Sequence, residues 1–359
     1  MNSEFNPEIQ VETQQPQTQQ IVNEPQPVQP TYVTYVPYGL TPETYEERKG
    51  VKKIANVIGG SLLIMTALST TIVLTLRLLL SFIGMWGQNE FDLFTYPAFL
   101  QYLQTVLSIL MFTVPFIFLY RISGFRISSL VKFKKPKKKD ILPYFLLGSG
   151  VCFFANFSVS ISGSIFEKFG FNYEVSQTES PRGILGFMLT FIAIAVVPPL
   201  VEEFACRGLI LGSLKKYGNG FAIVCSAILF GIMHGNFRQI PFAFLAGLVL
   251  GFIAVKTNTI WISVAVHAFN NAVSVIIDYL LMSYNNEIVN VFAVIILSVF
   301  MFFGVLGVCL LNKDENAFSL KRAKIKSKTS QVAKWFFTAP TIIIFIVISI
   351  LESLMFFVE

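Results

Sequence analysis

The chain has 359 residues, of which 54% are hydrophobic and 13% are charged, and its formal net charge is +6. A soluble domain typically has about 25% charged residues, whereas the mean hydropathy here is +0.64. This composition excludes a water-soluble enzyme and a soluble nucleic-acid-binding protein. The basic residues lie in blocks beside apolar runs, which is typical of a protein that contacts a membrane surface and not nucleic acid.

The N-terminal segment 1–45 differs from the rest, because it is rich in Gln, Pro, Glu and Thr. Such a composition buries too little apolar surface to offset the entropy lost on ordering, so we predict a disordered tail. Its start is acidic and polar and lacks an apolar stretch. We therefore expect no signal peptide.

Apolar runs that could cross a bilayer recur through the remaining chain. They lie at 54–83, 98–120, 141–165, 183–214, 220–234, 240–255, 259–283, 288–311 and 336–358. The runs 220–234 and 240–255 are short, and are either short helices or a re-entrant pair, so we predict eight or nine spans. The fold class is all-α, a polytopic membrane helix bundle. Beyond the tail, its predicted parts are two spans with a basic loop (46–140), a membrane core (141–311), and a basic linker with a C-terminal span (312–359).

The distribution of Lys and Arg predicts the orientation in the membrane. With the N-terminus in the cytosol, 22 of these residues fall in cytosolic segments and only three, Lys168, Arg182 and Arg238, on the other side. Because cytoplasmic loops of membrane proteins carry an excess of Lys and Arg, we predict a multi-pass cell-membrane protein with a cytosolic N-terminus. The basic loops, above all Lys134–Lys139, are candidate contacts for anionic lipid.

Few ionisable residues lie inside the apolar runs, and each is a candidate functional group because charge at membrane depth is costly. Glu202, Glu203 and Arg207 share one run, and the only two histidines of the chain, His234 and His267, lie in two others. At about 1.5 Å per helical residue, these groups lie roughly 12–21 Å from the nearest cytosolic ends of their runs. The hydrocarbon core is about 30 Å thick, so we predict one site near its middle.

Helical spacing refines this site. Glu203 and Arg207 are four residues apart, so they share a helix face and can pair, whereas Glu202 is rotated by about 100° from Glu203. His267 and Asn271 are also four apart and share a face. The Pro198-Pro199 pair just before the glutamates predicts a kink that frees backbone carbonyls at membrane depth.

Three ordered motifs resemble one known family. They are Glu-Glu-x-x-x-Arg at 202–207, Phe-x-x-x-His at 230–234 and His-x-x-x-Asn at 267–271. In this order, inside membrane spans, they resemble the CPBP family. It comprises the type II CAAX prenyl endopeptidases and the bacterial bacteriocin-processing or bacteriocin-immunity proteins, also called the ABI family. The resemblance covers about residues 140–310.

The resemblance implies an intramembrane endopeptidase that hydrolyses peptide bonds of CAAX-like or membrane-associated peptides. By resemblance, Glu202 acts as the general base and activates the hydrolytic water together with His234, and Glu203 pairs with Arg207. His267 and Asn271 bind the oxyanion or orient the water. The chemistry of the residues agrees, because peptide hydrolysis needs a base and hydrogen-bond donors for the oxyanion.

We expect no bound metal or other cofactor, although zinc stays open as an alternative with Glu202, His234 and His267 as ligands. Arg207 brings a fixed positive charge close to the carboxylates, which disfavours a divalent cation at low dielectric. In addition, Asn271 is a poor zinc ligand but a good oxyanion donor.

Two functions from other classes also remain open. One is a non-catalytic bacteriocin-immunity or scaffold protein, since an intact site does not prove turnover. The other is a proton-coupled transporter, since buried Glu, His and Arg also build proton relays. Transporters often show repeated halves, and no such repeat is visible. The expected partners are a peptide or membrane-protein substrate and the lipid bilayer, and not nucleic acid.

Overall fold

The computed structural model describes residues 37, 39–86, 97–169, 172–173, 183–284, 286–355 and 357–358. The predicted disordered tail therefore lies almost entirely outside the described residues. At its C-terminal edge the first helix begins at Pro42, a few residues inside the segment assigned to the tail. Thr41 caps this helix, because its Oγ1 accepts a hydrogen bond from the Thr44 backbone N–H at 3.3 Å.

The described chain is a helix bundle, which confirms the predicted all-α class. The helices are α1 (Pro42–Trp86), α2 (Pro97–Ile122), α3 (Ile127–Leu130), α4 (Lys138–Lys168), α5 (Gly183–Thr190), α6 (Val197–Glu203), α7 (Leu211–Leu214), α8 (Asn219–Ile232), α9 (Ile240–Thr257), α10 (Trp261–Ser283), α11 (Asn286–Leu311), α12 (Thr329–Phe337) and α13 (Pro340–Leu354). Two-residue strands, β1 (Asn172–Tyr173) and β2 (Phe357–Val358), form one antiparallel pair.

The helices α5 to α7 form a single uninterrupted rod from Gly183 to Tyr217. Two π-helical segments, Phe191–Val196 and Phe204–Ile210, join its α-helical parts, and a 3₁₀ turn at Lys215–Tyr217 ends it. π-Segments are rare and occur frequently at functional sites. The rod corresponds to the single span predicted at 183–214.

Seven of the described helices are long and apolar enough to cross a bilayer, and the bent pair α12–α13 can supply an eighth. This agrees with the lower of the two predicted span numbers. The short run at 220–234 forms the 14-residue helix α8, which falls short of a full crossing. The last predicted span, 336–358, is divided differently: α12 and α13 meet at 66°. Ala339 is extended there, because it precedes Pro340.

Helix α4 lies at the centre of the core region and packs against α9, α10 and α11. Its crossing with α11 depends on glycine. A β-carbon on Gly150 would lie 2.3 Å from the Gly304 Cα, and one on Gly307 would lie 2.5 Å from the Leu147 nitrogen. Both lengths are shorter than any stable contact, so the two backbones approach each other more closely than side chains would allow.

Segments predicted on the cytosolic side meet at one end of the bundle. Glu47 at the start of α1 accepts hydrogen bonds from Lys326 and Ser327 in the basic linker. The Lys321 carbonyl in the same linker accepts a hydrogen bond from the Asn219 backbone N–H at the start of α8, at 3.2 Å. The strands β1 and β2, which follow α4 and α13, pair at the far ends of those helices. These contacts agree with the predicted alternation of the spans; which end faces the cytosol stays a prediction.

Candidate active site

The proline pair before the two glutamates frees a backbone carbonyl, as the sequence predicts. The Ile194 carbonyl would normally accept a hydrogen bond from the N–H four or five residues later, and both positions are proline, which has no N–H. Asn271 on α10 replaces the missing donor, with its Nδ2 at 3.0 Å from the Ile194 oxygen. The proline pair therefore creates the contact that joins α10 to the glutamate-bearing rod.

Glu203 and Arg207 form a buried ion pair, as their spacing predicts. Arg207 Nη1 donates to Glu203 Oε1 at 2.6 Å, and both side chains are 0% exposed. The guanidinium group also lies 4.2 Å from the centre of the Phe230 ring, and its Nη2 donates to the Gly247 carbonyl at 3.4 Å. A buried charge is tolerated only when it is paired, so these contacts explain how the rod carries two charges at membrane depth.

His267 connects the two glutamates. Its Nδ1 lies 3.1 Å from Glu203 Oε1, and its Nε2 lies 3.8 Å from Glu202 Oε2. Because Glu203 Oε1 is a hydrogen-bond acceptor paired with Arg207, His267 Nδ1 carries the hydrogen of this contact. At 3.8 Å, His267 Nε2 and Glu202 Oε2 are too far apart for a direct hydrogen bond.

Exposure distinguishes the surroundings of the two glutamates. The side chains of Glu202 and His267 are 13% and 11% exposed, whereas Glu203 is fully buried. A reactant can therefore approach Glu202 and His267, while Glu203 is enclosed, with Arg207 and His267 both bound to its Oε1. The 100° rotation predicted from the helix is what directs the two adjacent carboxylates to different surroundings.

His234 joins the site through Phe230. Its Nδ1 lies 2.7 Å from the Phe230 carbonyl oxygen, which can only accept, so Nδ1 is the donor and Nε2 is free to accept a proton when the ring is neutral. The Phe230 ring meets the His234 and His267 rings edge-on, with centroids 5.0 and 5.8 Å apart. Within the described part of the chain, His234 makes no hydrogen bond to Glu202.

The structure thus brings all six predicted site residues to one region formed by the rod, the turn after α8 and α10. In the described residues, no three His, Cys, Asp or Glu side chains are grouped as metal ligands. His234 Nδ1 and His267 Nδ1 each contact an acceptor within the protein, the Phe230 carbonyl and the Glu203 carboxylate, so Nε2 is the nitrogen left free on both rings. The zinc alternative, with Glu202, His234 and His267 as ligands, is tested below.

Sequence reasoning did not identify three further contributors. Asn156 on α4 donates to Asn270 Oδ1 at 3.1 Å, and Asn270 in turn lies 3.5 Å from Asn271 Oδ1. A polar residue inside the α4 apolar run was the available signal. Glu352 on α13 lies close to Gly235, in the turn after His234. A β-carbon on Gly235 would lie 3.7 Å from its Oε2.

Comparisons with known proteins cover the part of the chain that carries this candidate site. Residues 184–273, which contain all three motifs, match the family described as "Type II CAAX prenyl endopeptidase Rce1-like". The chain is 30% identical over 129 residues to the "Putative membrane peptidase YdiL" of Bacillus subtilis (strain 168), an alignment that covers 35% of this chain and 53% of that protein. It is 28% identical over 154 residues to the "Membrane-embedded CAAX protease MroQ" of Staphylococcus aureus (strain USA300), covering 41% and 62%.

The chain spans between half and two thirds of the length of these curated relatives. No solved structure matches it. The matched range coincides with the part of the rod, α8, α9 and α10 that carries the six site residues. The resemblance indicated by the three motifs is thereby confirmed for this part of the chain.

Proposed function

We propose that this multi-pass membrane protein, whose residues 184–273 carry the signature of the type II CAAX prenyl endopeptidase-like family, is an intramembrane endopeptidase with Glu202 as general base. The difference in exposure between the two glutamates carries the proposal. Glu202 and His267 are accessible, while Glu203 and Arg207 are sealed into an ion pair. A general base must reach its reactant, and only Glu202 of the two carboxylates meets this requirement.

The proposed reaction begins with a water molecule held by Glu202 and His234 Nε2. Glu202 removes a proton from this water as its oxygen attacks the peptide carbonyl, and the proton then passes to the departing amine nitrogen. The oxyanion of the tetrahedral intermediate needs donors, for which we propose the second N–H of Asn271 and His267 Nε2, in the ring form that carries a hydrogen on both nitrogens. Glu203 and Arg207 hold the rod and position His267.

The proposed substrates are peptides or membrane proteins whose cleavage site enters the membrane, including CAAX-like C-terminal segments. A site at mid-membrane depth favours a substrate carrying an apolar segment, because only such a segment partitions to that depth. We further propose that the N-terminus is cytosolic and that the basic loops contact anionic lipid, in keeping with the excess of Lys and Arg on that side. The domain boundaries at about 140 and 311 enclose the proposed catalytic core.

The test is turnover of an internally quenched apolar peptide by the purified full-length chain in lipid nanodiscs. Glu202→Gln is expected to reduce kcat by roughly 10²- to 10⁴-fold, the usual contribution of a general base, with no change in Tm. Asp278→Asn is the matched control, because Asp278 is an exposed carboxylate on α10 outside the cluster. Full activity in Glu202→Gln would refute its role, and a folded wild type that cleaves no peptide would favour the non-catalytic alternative.

We propose metal independence because Arg207 brings a fixed positive charge close to the carboxylates, and this proposal has its own test. The purified protein is dialysed against a strong chelator, and metal content is measured beside peptide turnover. We expect unchanged turnover at substoichiometric metal. Stoichiometric zinc, with activity lost on removal and restored on return, would instead make Glu202, His234 and His267 candidate ligands of a metalloprotease.

A further inference from the structure

A basic cavity of about 780 Å³ opens at the end of α2, around the short helix α3. We use the name basic cavity for the space lined by four cations and two aromatic rings, Arg121, Arg126, Lys132, Lys134, Phe125 and Phe133, together with smaller neighbours. None of its lining residues is acidic, and in the described part of the chain none of the four cations forms an ion pair. Four uncompensated cations around one cavity point to an anionic ligand.

One part of the wall of the basic cavity, residues 132–134, is fixed by hydrogen bonds to another part of the chain. Three successive carbonyls, those of residues 132, 133 and 134, accept hydrogen bonds from the turn that joins α9 to α10. Their donors are the Ile260 backbone N–H at 3.1 Å, the Trp261 indole N–H at 3.1 Å and the Thr259 hydroxyl at 2.6 Å. The cations at 132 and 134 are therefore carried on a backbone that is ordered before any ligand arrives, which lowers the entropy lost on binding.

The surroundings favour a lipid over a free anion. Phe133 on the wall is 53% exposed, Ile122 at the end of α2 is 64% exposed, and Trp261 is 40% exposed. Exposed apolar side chains beside a Trp at the end of membrane helices mark the level of the lipid headgroups. A ligand with a phosphate next to an apolar body can contact both the cations and the exposed apolar side chains, whereas inorganic phosphate can contact only the cations.

The same wall packs directly against the helix that carries the site. A β-carbon on Gly208, the residue after Arg207, would lie 2.9 Å from Val131 Cγ2, and one on Gly212 would lie 2.9 Å from the Leu130 carbonyl oxygen. The Phe133 ring stacks on Phe204, which follows Glu203, with centroids 6.4 Å apart and planes at 12°. A ligand that restrains residues 130 and 131, which precede the fixed part of the wall, would therefore also restrain the π-segment that holds Arg207.

We propose that the basic cavity binds the phosphate of an anionic phospholipid, and that its occupancy raises peptidase activity by steadying the π-segment Phe204–Ile210. The second part rests on the proposed function, whereas the binding does not. Binding is therefore measured first and by itself, with native mass spectrometry of the purified full-length chain. Short-chain phosphatidylglycerol and phosphatidylcholine are titrated separately, and inorganic phosphate is added as a competitor.

Two matched triple variants remove equal charge from the same loop. Arg121→Gln/Arg126→Gln/Lys134→Gln removes three exposed cations of the basic cavity, and Lys135→Gln/Lys137→Gln/Lys138→Gln removes three exposed cations outside it. Each cation near an anionic lipid contributes roughly fivefold, so the cavity variant should lose about a hundredfold in phosphatidylglycerol affinity. The control should lose only a fewfold. If a lowered Tm shows that the triple variant is misfolded, the single variant Arg126→Gln is measured instead. It is expected to lose about fivefold in phosphatidylglycerol affinity.

The outcomes separate the possibilities. If both triple variants lose the same affinity, the lipid is attracted by the whole basic segment and not bound in the cavity. If equimolar inorganic phosphate displaces the lipid, the cavity binds a free anion and not a phospholipid. For the second part, wild type should turn over peptide faster in phosphatidylglycerol than in phosphatidylcholine nanodiscs, and the cavity variant should lose only this difference. Phosphatidylglycerol binding without any change in turnover would overturn the coupling and leave the binding site standing.

Discussion

At the scale of single residues, Glu203 and Arg207 can both be charged inside the apolar rod because they form a pair. Each of these side chains is completely buried, and the pair shares His267 and the Phe230 ring as further partners. Removing one member leaves an uncompensated charge at membrane depth, whereas removing both leaves none. The pair therefore stabilises the rod only as a unit.

This reasoning predicts the result of a double-mutant cycle. Glu203→Gln and Arg207→Met should each reduce the free energy of unfolding by about 3–5 kcal/mol, while the double variant should lose less than either single change. Unfolding in mixed detergent micelles, followed by circular dichroism, provides the measurement. Additive losses would show that the two side chains act independently, contrary to their 2.6 Å contact.

At the scale of the element, the two prolines of the rod Gly183–Tyr217 create its hydrogen bond to α10. Because residues 198 and 199 have no N–H, the Ile194 carbonyl takes its donor from Asn271 instead. Asn271→Leu should therefore cost about 1–3 kcal/mol, the penalty for an unsatisfied buried carbonyl. In a Pro198→Ala background, which restores a backbone donor, the same change should cost markedly less.

Thermal unfolding of the four proteins (wild type, both single variants and the double variant) measures this coupling. An Asn271→Leu protein with unchanged Tm would argue that Asn271 serves the reaction alone. Activity measured in parallel separates the two roles, since the proposed oxyanion contact is lost in both backgrounds while the carbonyl is unsatisfied in only one.

The crossing of α4 and α11 gives a second prediction for elements. A β-carbon on Gly304 would lie 2.8 Å from the Gly150 Cα, so Gly304→Val should force the helices apart and destabilise the protein by about 1–3 kcal/mol. Val305→Leu next to it is the matched control, because Val305 is 62% exposed. If the two variants have the same Tm, the close approach of the helices contributes nothing to stability.

At the scale of the whole molecule, the hydrogen bonds of Glu47 to the 326–327 backbone bring the start of α1 and the basic linker to the same end of the bundle. The Lys and Arg bias predicts that this end faces the cytosol. A membrane-impermeant thiol reagent applied to intact cells should therefore label Gln88→Cys strongly. It should label neither Ser3→Cys nor Lys324→Cys until the cells are opened, and the parent protein serves as the background for its native cysteines. Labelling of Lys324→Cys in intact cells would reverse the orientation.

Much of this protein follows from its sequence. Hydropathy locates the long helices to within a few residues at most ends, because a span must be apolar over its whole length to enter lipid. The rarity of charge at that depth identifies Glu202, Glu203 and Arg207, and helical spacing pairs the last two. Hydropathy does not predict the earlier start of α1 or the 66° bend before Pro340, because it depends on composition and not on the direction of the helix axis.

The sequence by itself determined the membrane class, the residues of the candidate site and the pairing within one helix, because these depend on composition and on a fixed rotation per residue. Only the tertiary structure decided which carboxylate is accessible, which donor satisfies the Ile194 carbonyl, and that Phe133 and Val131 lie against the rod. Each of these depends on contacts between residues far apart in the chain, such as Asn271 with Ile194. Close packing of whole helices sets such contacts, and no local periodicity encodes them.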